Sequence, residues 1–166
     1  MKLNMIAVSI TVLLSVLIPY LLLLYYGKYD SRKLKKTFKL EARINALTFS
    51  KKEHWDLNYL GLDSIQEKLL FIQMIDKKPI VKLLDFKNLK SVDLETIEMK
   101  TPGKHSRVFL EEVNIHFKYR NEPDLMIQLF NRSRDYFESN EVQRAQSWVN
   151  EFKILLNNTA KIKKAA

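Results

Sequence analysis

The run KLLFIQMI, Lys68–Ile75, is apolar at six of its eight positions. Strands with one face in water alternate between apolar and polar side chains, whereas a strand buried on both faces is a nearly continuous apolar run. We therefore predict that this segment is a strand with protein packed against both of its faces. The fold depends on which other segments supply that cover.

Downstream of this run the apolar residues recur with a period of two, which is typical of half-buried antiparallel strands. In VNIHFKYR the predicted inward side chains are Val113, Ile115, Phe117 and Tyr119, and the predicted outward ones are Asn114, His116, Lys118 and Arg120. DLMIQLF repeats the pattern with Leu125, Ile127 and Leu129 inward. Upstream, HWDLNY predicts one strand with Trp55, Leu57 and Tyr59 on one face, and PIVKLLDFKNL suits either a strand or a helix. Turn residues between these runs favour a sandwich or barrel of short strands.

One amphipathic helix follows the predicted strands, in SNEVQRAQSWVNEFKILLNN. Its apolar residues are spaced by three and four positions: Val142, Ala145, Trp148, Val149, Phe152, Leu155 and Leu156. Asn140 is a suitable N-cap, and Glu141 suits the first turn. So broad an apolar stripe has to be buried, and we expect it to cover an open end of the sheet.

About seven short strands followed by one helix with a central Trp148 resemble the pleckstrin-homology-like (PH-like) superfold. The runs EHWDLNYLGLDSIQEKLLFI and VKLLDFKNLKSVDLE resemble membrane-anchored bacterial PH-like proteins. The resemblance implies a PH-like domain over residues 46–158, followed by a basic tail over residues 159–166, with Trp148 plugging one end of the sandwich. Phosphoinositide-binding members carry several basic residues on the first two strands. Lys51 and Lys52 are present here, but His54, Asp56 and Asn58 follow where further basic residues would be needed, which argues against specific inositol-phosphate binding.

The N-terminal stretch Met5–Tyr26 carries no charge. As a helix it would rise roughly 33 Å, enough for a bilayer core of about 30 Å. It is longer than the apolar core of a cleaved signal peptide and lacks the small-residue cleavage site. We therefore predict a retained transmembrane anchor over residues 1–27, which makes the predicted fold an anchor followed by a mainly β, α+β domain.

A basic segment, residues 28–45, follows the predicted anchor and forms a short helix or linker. Its basic residues are Lys28, Arg32, Lys33, Lys35, Lys36, Lys39 and Arg43. By the positive-inside rule they place the C-terminal domain in the cytoplasm and the protein in the inner membrane as a single-pass protein. The same residues could also attract anionic lipid headgroups. Because Leu34, Phe38 and Ala42 recur at a spacing of four, the helix would continue the anchor or lie along the headgroups.

The net charge of +9 does not predict nucleic-acid binding. Residues 28–52 hold nine basic and two acidic side chains, whereas residues 53–139 hold thirteen basic and fifteen acidic ones. A DNA-binding domain normally carries its basic stripe on the folded body. The excess charge therefore belongs to the basic segment rather than to the domain.

No catalytic or metal-binding motif is present. The chain has no Cys, and its three histidines, His54, His105 and His116, are not spaced as metal ligands. We predict no enzyme, no metal and no cofactor. The leading hypothesis is a membrane-anchored, non-catalytic protein-binding or scaffolding module, and the alternative is an anionic-lipid-sensing module that uses the basic segment.

Overall fold

The computed structural model describes the backbone of residues 2–27, 29–101, 106–135 and 140–165, and the side chains of residues 8–21, 29–101, 106–135 and 140–158. Within these residues the chain forms three helices and seven strands. The helices are α1 (Lys2–Gly27), α2 (Tyr29–Ile44) and α3 (Glu141–Ala165). The strands are β1 (Lys51–Trp55), β2 (Asn58–Asp63), β3 (Lys68–Ile75), β4 (Lys78–Asp85), β5 (Leu89–Lys100), β6 (Val108–Tyr119) and β7 (Leu125–Asn131).

The continuous apolar run is β3, and the prediction that both of its faces are covered is confirmed. Leu69 and Phe71 belong to the main core. Leu70, Ile72 and Met74, which point to the opposite face, pack in a second cluster with α2. The period of two therefore divides one apolar strand between two separate cores.

The strands form two antiparallel sheets, one in the order β1-β2-β3-β4 and the other in the order β5-β6-β7. The main core lies between the sheets, and α3 covers it from one side. The chain therefore has a mainly β, α+β fold. The predicted alternative of a closed barrel is wrong, because a barrel needs every strand edge paired and no ladder joins the two sheets among the described strands.

The strand predictions hold best where the alternation is strict. Val113, Ile115, Phe117 and Tyr119 of β6 are all buried as predicted. Two predictions on these strands are wrong: Asn114, predicted outward, is buried, and Leu125, predicted inward, is exposed. PIVKLLDFKNL, whose pattern suited either a strand or a helix, forms most of β4 and the start of β5.

HWDLNY is not one strand, because the chain reverses at Asp56 and Leu57. Trp55 pairs with Asn58 across this two-residue turn, and Asp56 has φ of 43°. Leu57 is consequently exposed in the turn instead of lying between Trp55 and Tyr59 on one face.

The predicted C-terminal helix is α3, and its apolar side faces the main core. Trp148 and Phe152 are fully buried there, whereas Val142 near the start of the helix is exposed. Glu53 of β1 fastens the helix, because its two carboxylate oxygens accept hydrogen bonds from Trp148 Nε1 at 2.6 Å and from Arg144 Nε at 2.8 Å. A carboxylate on the first strand therefore holds the last helix over the core.

The predicted membrane span at Met5–Tyr26 is contradicted. Among the residues that the structure describes, no helix is long and apolar enough to cross a membrane. The prediction of a single-pass inner-membrane protein with a cytoplasmic domain depended on that span and is contradicted with it.

The basic segment after α1 does not form a free linker. Its apolar edge, Leu34 and Phe38, is buried against the outer face of the four-stranded sheet. The predicted apolar stripe of α2 is therefore present, but it packs on β2 and β3. It does not continue an anchor or lie along lipid headgroups.

Candidate functional site

An open groove lies beside α2, on the outer face of β1 and β2. Its volume is about 640 Å³. We call it the basic groove, and its lining consists of Lys35, Phe38, Lys39, Ala42, Arg43, Leu47, Phe49, Lys52, Glu53, His54 and Tyr59. The groove thus combines four basic side chains with an apolar floor.

One wall of the basic groove is a row of cations on α2. Lys35, Lys39 and Arg43 are four residues apart, so they lie on one side of the helix at intervals of about 6 Å. Each directly follows a residue of the sheet-facing stripe, which places the row at the boundary between the packed side and solvent. All three are exposed, and their side chains make no hydrogen bond or ion pair with a described residue. Their charge is therefore available to a ligand.

The floor of the basic groove is aromatic. The ring centroids of Phe38 and Phe49 are 4.9 Å apart in a stacked arrangement, and those of Phe38 and Tyr59 are 5.1 Å apart. Gly61 lies directly below, since a Cβ atom added there would be 2.7 Å from the Phe49 ring and 2.8 Å from Phe38 Cζ. Burial raises the pKa of the Tyr59 hydroxyl, so the floor stays uncharged at neutral pH.

The other wall of the basic groove is β1, from which Lys52 and His54 project toward the outer face. The His54 ring packs on Tyr59 with a centroid distance of 4.3 Å. Lys52 is exposed and, like the row on α2, has no side-chain partner among the described residues. The only acid in the lining, Glu53, is already paired with Arg144 and Trp148. The groove consequently presents positive charge with little internal compensation.

Arg144 forms ion pairs with both Glu53 and Glu141. Burial would lower the pKa of the Arg144 guanidinium, but the hydrogen bonds that it donates to Glu141 and Glu53 outweigh burial and raise it. Arg144 also lies over the Trp55 ring at 4.9 Å. The pair therefore acts as a structural tie between β1 and α3.

The structure divides the seven predicted site residues into separate groups. Lys28 lies outside the described residues. Lys35, Lys39 and Arg43 line the basic groove together. Lys33 is on the other side of α2, where Nζ donates to the backbone oxygen of Lys77 at 3.0 Å. Arg32 and Lys36 are on the exposed surface of the helix.

Sequence reasoning did not assign a site to Lys52, His54, Phe49 and Tyr59, because they come from three separate segments. Two clues were present in the sequence. The unbroken apolar run in β3 needed cover on its second face, and the stripe at Leu34 and Phe38 is a nearby apolar stripe that could supply it. Docking that stripe on the sheet brings the basic row of α2 next to β1.

The described residues contain no group of three or more His, Asp or Glu side chains that could hold a metal ion. His116 Nε2 lies 2.7 Å from Glu95 Oε2 on the exposed side of the smaller sheet, and His105 is outside the described residues. What the groove can do is bind: its cations can pair with anions, and its floor can bury an apolar group.

No family model, curated protein or solved structure matches this chain. The PH-like resemblance thus stays a prediction from the sequence, and the argument for function rests on the basic groove.

Proposed function

We propose that this chain is a non-catalytic binding module that holds an acidic segment of a protein partner in the basic groove. The observation that carries the proposal is the set of four cations around an aromatic floor that have no side-chain partner among the described residues: Lys35, Lys39, Arg43 and Lys52. Charge-assisted hydrogen bonds to carboxylates are stronger than neutral ones, and aromatic side chains are enriched where proteins bind proteins. An acidic segment with apolar side chains would pair with the cations of the lining and pack on its aromatic floor.

We also propose that the domain belongs to the PH-like class. Seven strands in two antiparallel sheets, followed by a helix whose central Trp148 is buried, support this assignment. Members of that class bind several kinds of ligand, so the fold alone does not choose the ligand.

A second candidate function is binding to an anionic lipid surface. The observation in its favour is on the solvent side of α2, where Leu40 is 54% exposed and Ile44 is 67% exposed beside Lys36. A basic helix with apolar residues on its exposed side can rest on anionic headgroups. The concave, aromatic lining of the basic groove favours the protein ligand.

The test compares two anionic probes on the full chain. Fluorescein-labelled poly(Glu,Tyr), an acidic and aromatic polypeptide, is titrated by fluorescence anisotropy at several salt concentrations. Vesicles of phosphatidylserine and phosphatidylcholine are used in a parallel sedimentation assay. The groove variant is Lys39→Glu with Lys52→Glu, and the matched control is Lys78→Glu with Lys90→Glu, at two exposed lysines outside the groove.

We expect poly(Glu,Tyr) to bind, to weaken as salt rises, and to lose affinity about tenfold or more in the groove variant. The control variant should bind like the original chain. Equal losses in both variants would show that only net charge matters and would refute the groove. Vesicle binding that disappears in Lys36→Glu, without any binding of poly(Glu,Tyr), would favour the lipid surface.

A further inference from the structure

We propose that the acidic segment binds in an extended conformation and adds a fifth strand to the four-stranded sheet, along the free edge of β1. This inference rests on the proposed function of the basic groove and specifies how the ligand is held. β1 is the terminal strand in the order β1-β2-β3-β4, so no described strand pairs with its outer edge. Exposed edges of this kind can accept an extended peptide through main-chain hydrogen bonds.

The register of the β1–β2 hairpin shows which backbone groups point outward. Trp55 and Asn58 flank a two-residue turn, so they form a hydrogen-bonded pair, and Glu53 with Leu60 forms the next such pair. The backbone of His54, between them, directs its N–H and C=O away from β2, and so does the backbone of Lys52 on the other side of Glu53. The backbone groups of these two residues are therefore available at the sheet edge.

Lys52 and His54 are also the two β1 residues whose side chains reach into the basic groove from its outer face. A strand paired with their backbones would run along the groove and direct every second side chain over it. The added strand and the groove consequently belong to one site. The edge of β1 would form main-chain hydrogen bonds with the peptide, and the basic groove would bind the side chains of the peptide.

The spacing of the cations suits this arrangement. Side chains at alternate positions of a strand are about 6.7 Å apart, and residues four apart on a helix are separated by about 6 Å. Lys35, Lys39 and Arg43 therefore match three acidic side chains at alternate positions of an extended peptide. A helical ligand would need its acids four residues apart and could not pair with the edge of β1.

The charge of the edge indicates an acidic peptide rather than a second copy of β1. Lys51 and Lys52 lie side by side on this strand, and two such edges brought together would place like charges opposite each other. Lys51 is bound to Glu151 at 3.1 Å, whereas Lys52 has no described side-chain partner. The edge of β1 thus repels a second β1 edge and attracts a carboxylate.

The experiment uses the full chain and a seven-residue probe peptide of alternating glutamate and tyrosine with blocked ends. Two further peptides carry N-methyl groups on one or the other alternate set of backbone amides, which removes those donors without changing charge. Pairing with an edge uses only one of the two sets. We expect one N-methylated peptide to bind about tenfold or more weakly and the other to bind like the parent.

A pair of variants examines the edge from the side of the protein. Lys52→Pro removes the outward N–H, which an edge strand tolerates, and Lys52→Gln removes only the charge. Lys52→Pro should bind the parent peptide about tenfold more weakly than Lys52→Gln does. The melting temperatures of the two variants show whether both remain folded. Val81→Pro on the opposite edge strand, β4, is the matched control, because the β3–β4 register directs its N–H away from β3.

The outcomes separate this inference from the proposed function. If both N-methylated peptides bind like the parent, the groove binds acidic segments without strand addition and the inference is wrong. If no peptide binds at all, the proposed function fails as well. Self-association that Lys52→Pro abolishes, or vesicle binding with no peptide binding, would assign the edge to a second copy or to lipid and would overturn the inference.

Discussion

The two faces of the four-stranded sheet are covered in different ways. The inner face meets a second sheet and α3, and the largest fully buried side chains of its core are aromatic: Phe71, Phe117, Phe130, Trp148 and Phe152. The outer face meets only α2, and its buried cluster consists of Leu34, Phe38, Leu70, Ile72 and Met74. Ala42, Leu47, Phe49 and Tyr59 stay partly buried at its margin. A single helix is narrower than the sheet, so it leaves β1 uncovered on that side, and this uncovered strip is the basic groove.

The comparison teaches that stability and binding are assigned to opposite faces of one sheet. The inner face is closed by segments distant in sequence. The outer face is closed only in part, and its margin is aromatic and basic. Substitutions that destabilise one face at a time show how far the stabilities of the two faces are independent.

The largest effect is expected at the inner face, for Trp148→Ala. This change leaves a large cavity and removes the Nε1 hydrogen bond to Glu53, so the free energy of unfolding should fall by about 4 kcal/mol. Urea denaturation of the full chain measures it. Val142→Ala, on the exposed part of the same helix, is the control and should lose well under about 1 kcal/mol. Similar losses at the two positions would mean that α3 does not close the core.

A smaller loss is expected at the outer face, for Phe38→Ala. Phe38 is buried, but it lies beside the open groove, so the free energy of unfolding should fall by about 3 kcal/mol, the lower end for this type of change. Leu40→Ala, two residues further on the exposed side, should be nearly neutral. If the faces are independent, the losses of Phe38→Ala and Trp148→Ala should add in the double variant. A double loss far from the sum would show that the two cores are coupled through β3.

Gly61→Ala tests the margin where the outer cluster meets the groove. The new Cβ atom would press on the Phe49 and Phe38 rings, so we expect a loss of about 2 kcal/mol by thermal unfolding. Replacing Phe49 by Leu should recover part of that loss if crowding is the cause. Full stability of Gly61→Ala alone would contradict the close approach of the two rings.

The smallest effect, and one that depends on pH, is expected at Asp63, the last residue of β2. Burial alone would raise the pKa of the Asp63 carboxyl, but backbone N–H groups of Gln66, Thr48 and Ile65 donate to it and, with the charge of Lys68, lower it. A lowered pKa in the folded state contributes stability above the unfolded value of about 4 and loses it as pH falls through the folded pKa.

Asp63→Asn should therefore cost about 1 kcal/mol at neutral pH and progressively less in acid, as measured by urea denaturation across that range. Asp56→Asn in the exposed β1–β2 turn is the matched chemical control. A cost at Asp63 that grows as pH falls would contradict the direction of the pKa change.

Much of the inner face was predictable, because its strands and helix carry their own periodicity. The alternation in β6 identified the buried side chains, and the spacing around Trp148 identified α3. The turn at Asp56 and Leu57 was missed because Asp-Leu is not one of the residue pairs typical of two-residue hairpin turns. The positive φ of Asp56 leaves no clear sequence signal.

The outer face was harder to predict, because the neighbour of a segment in sequence is not always its neighbour in space. Lys35, Lys39 and Arg43 were recognised as a basic group, but the adjoining apolar run suggested a bilayer as their surroundings. The structure places them beside Lys52 and His54 instead. Predicting the groove required deciding where the stripe of Leu34 and Phe38 packs, and local patterns do not decide that.

The tie between Glu53 and α3 has a consequence for the order in which the protein is completed during synthesis. The lining of the basic groove comes from residues 35–59, and β3 beneath it ends at residue 75, so the ribosome delivers the groove and its floor long before α3. The partner of Glu53 on α3, Trp148, is added well after them. Because domains begin to fold from the N-terminus as they are made, the nascent chain carries a positive, aromatic surface before its main core can close.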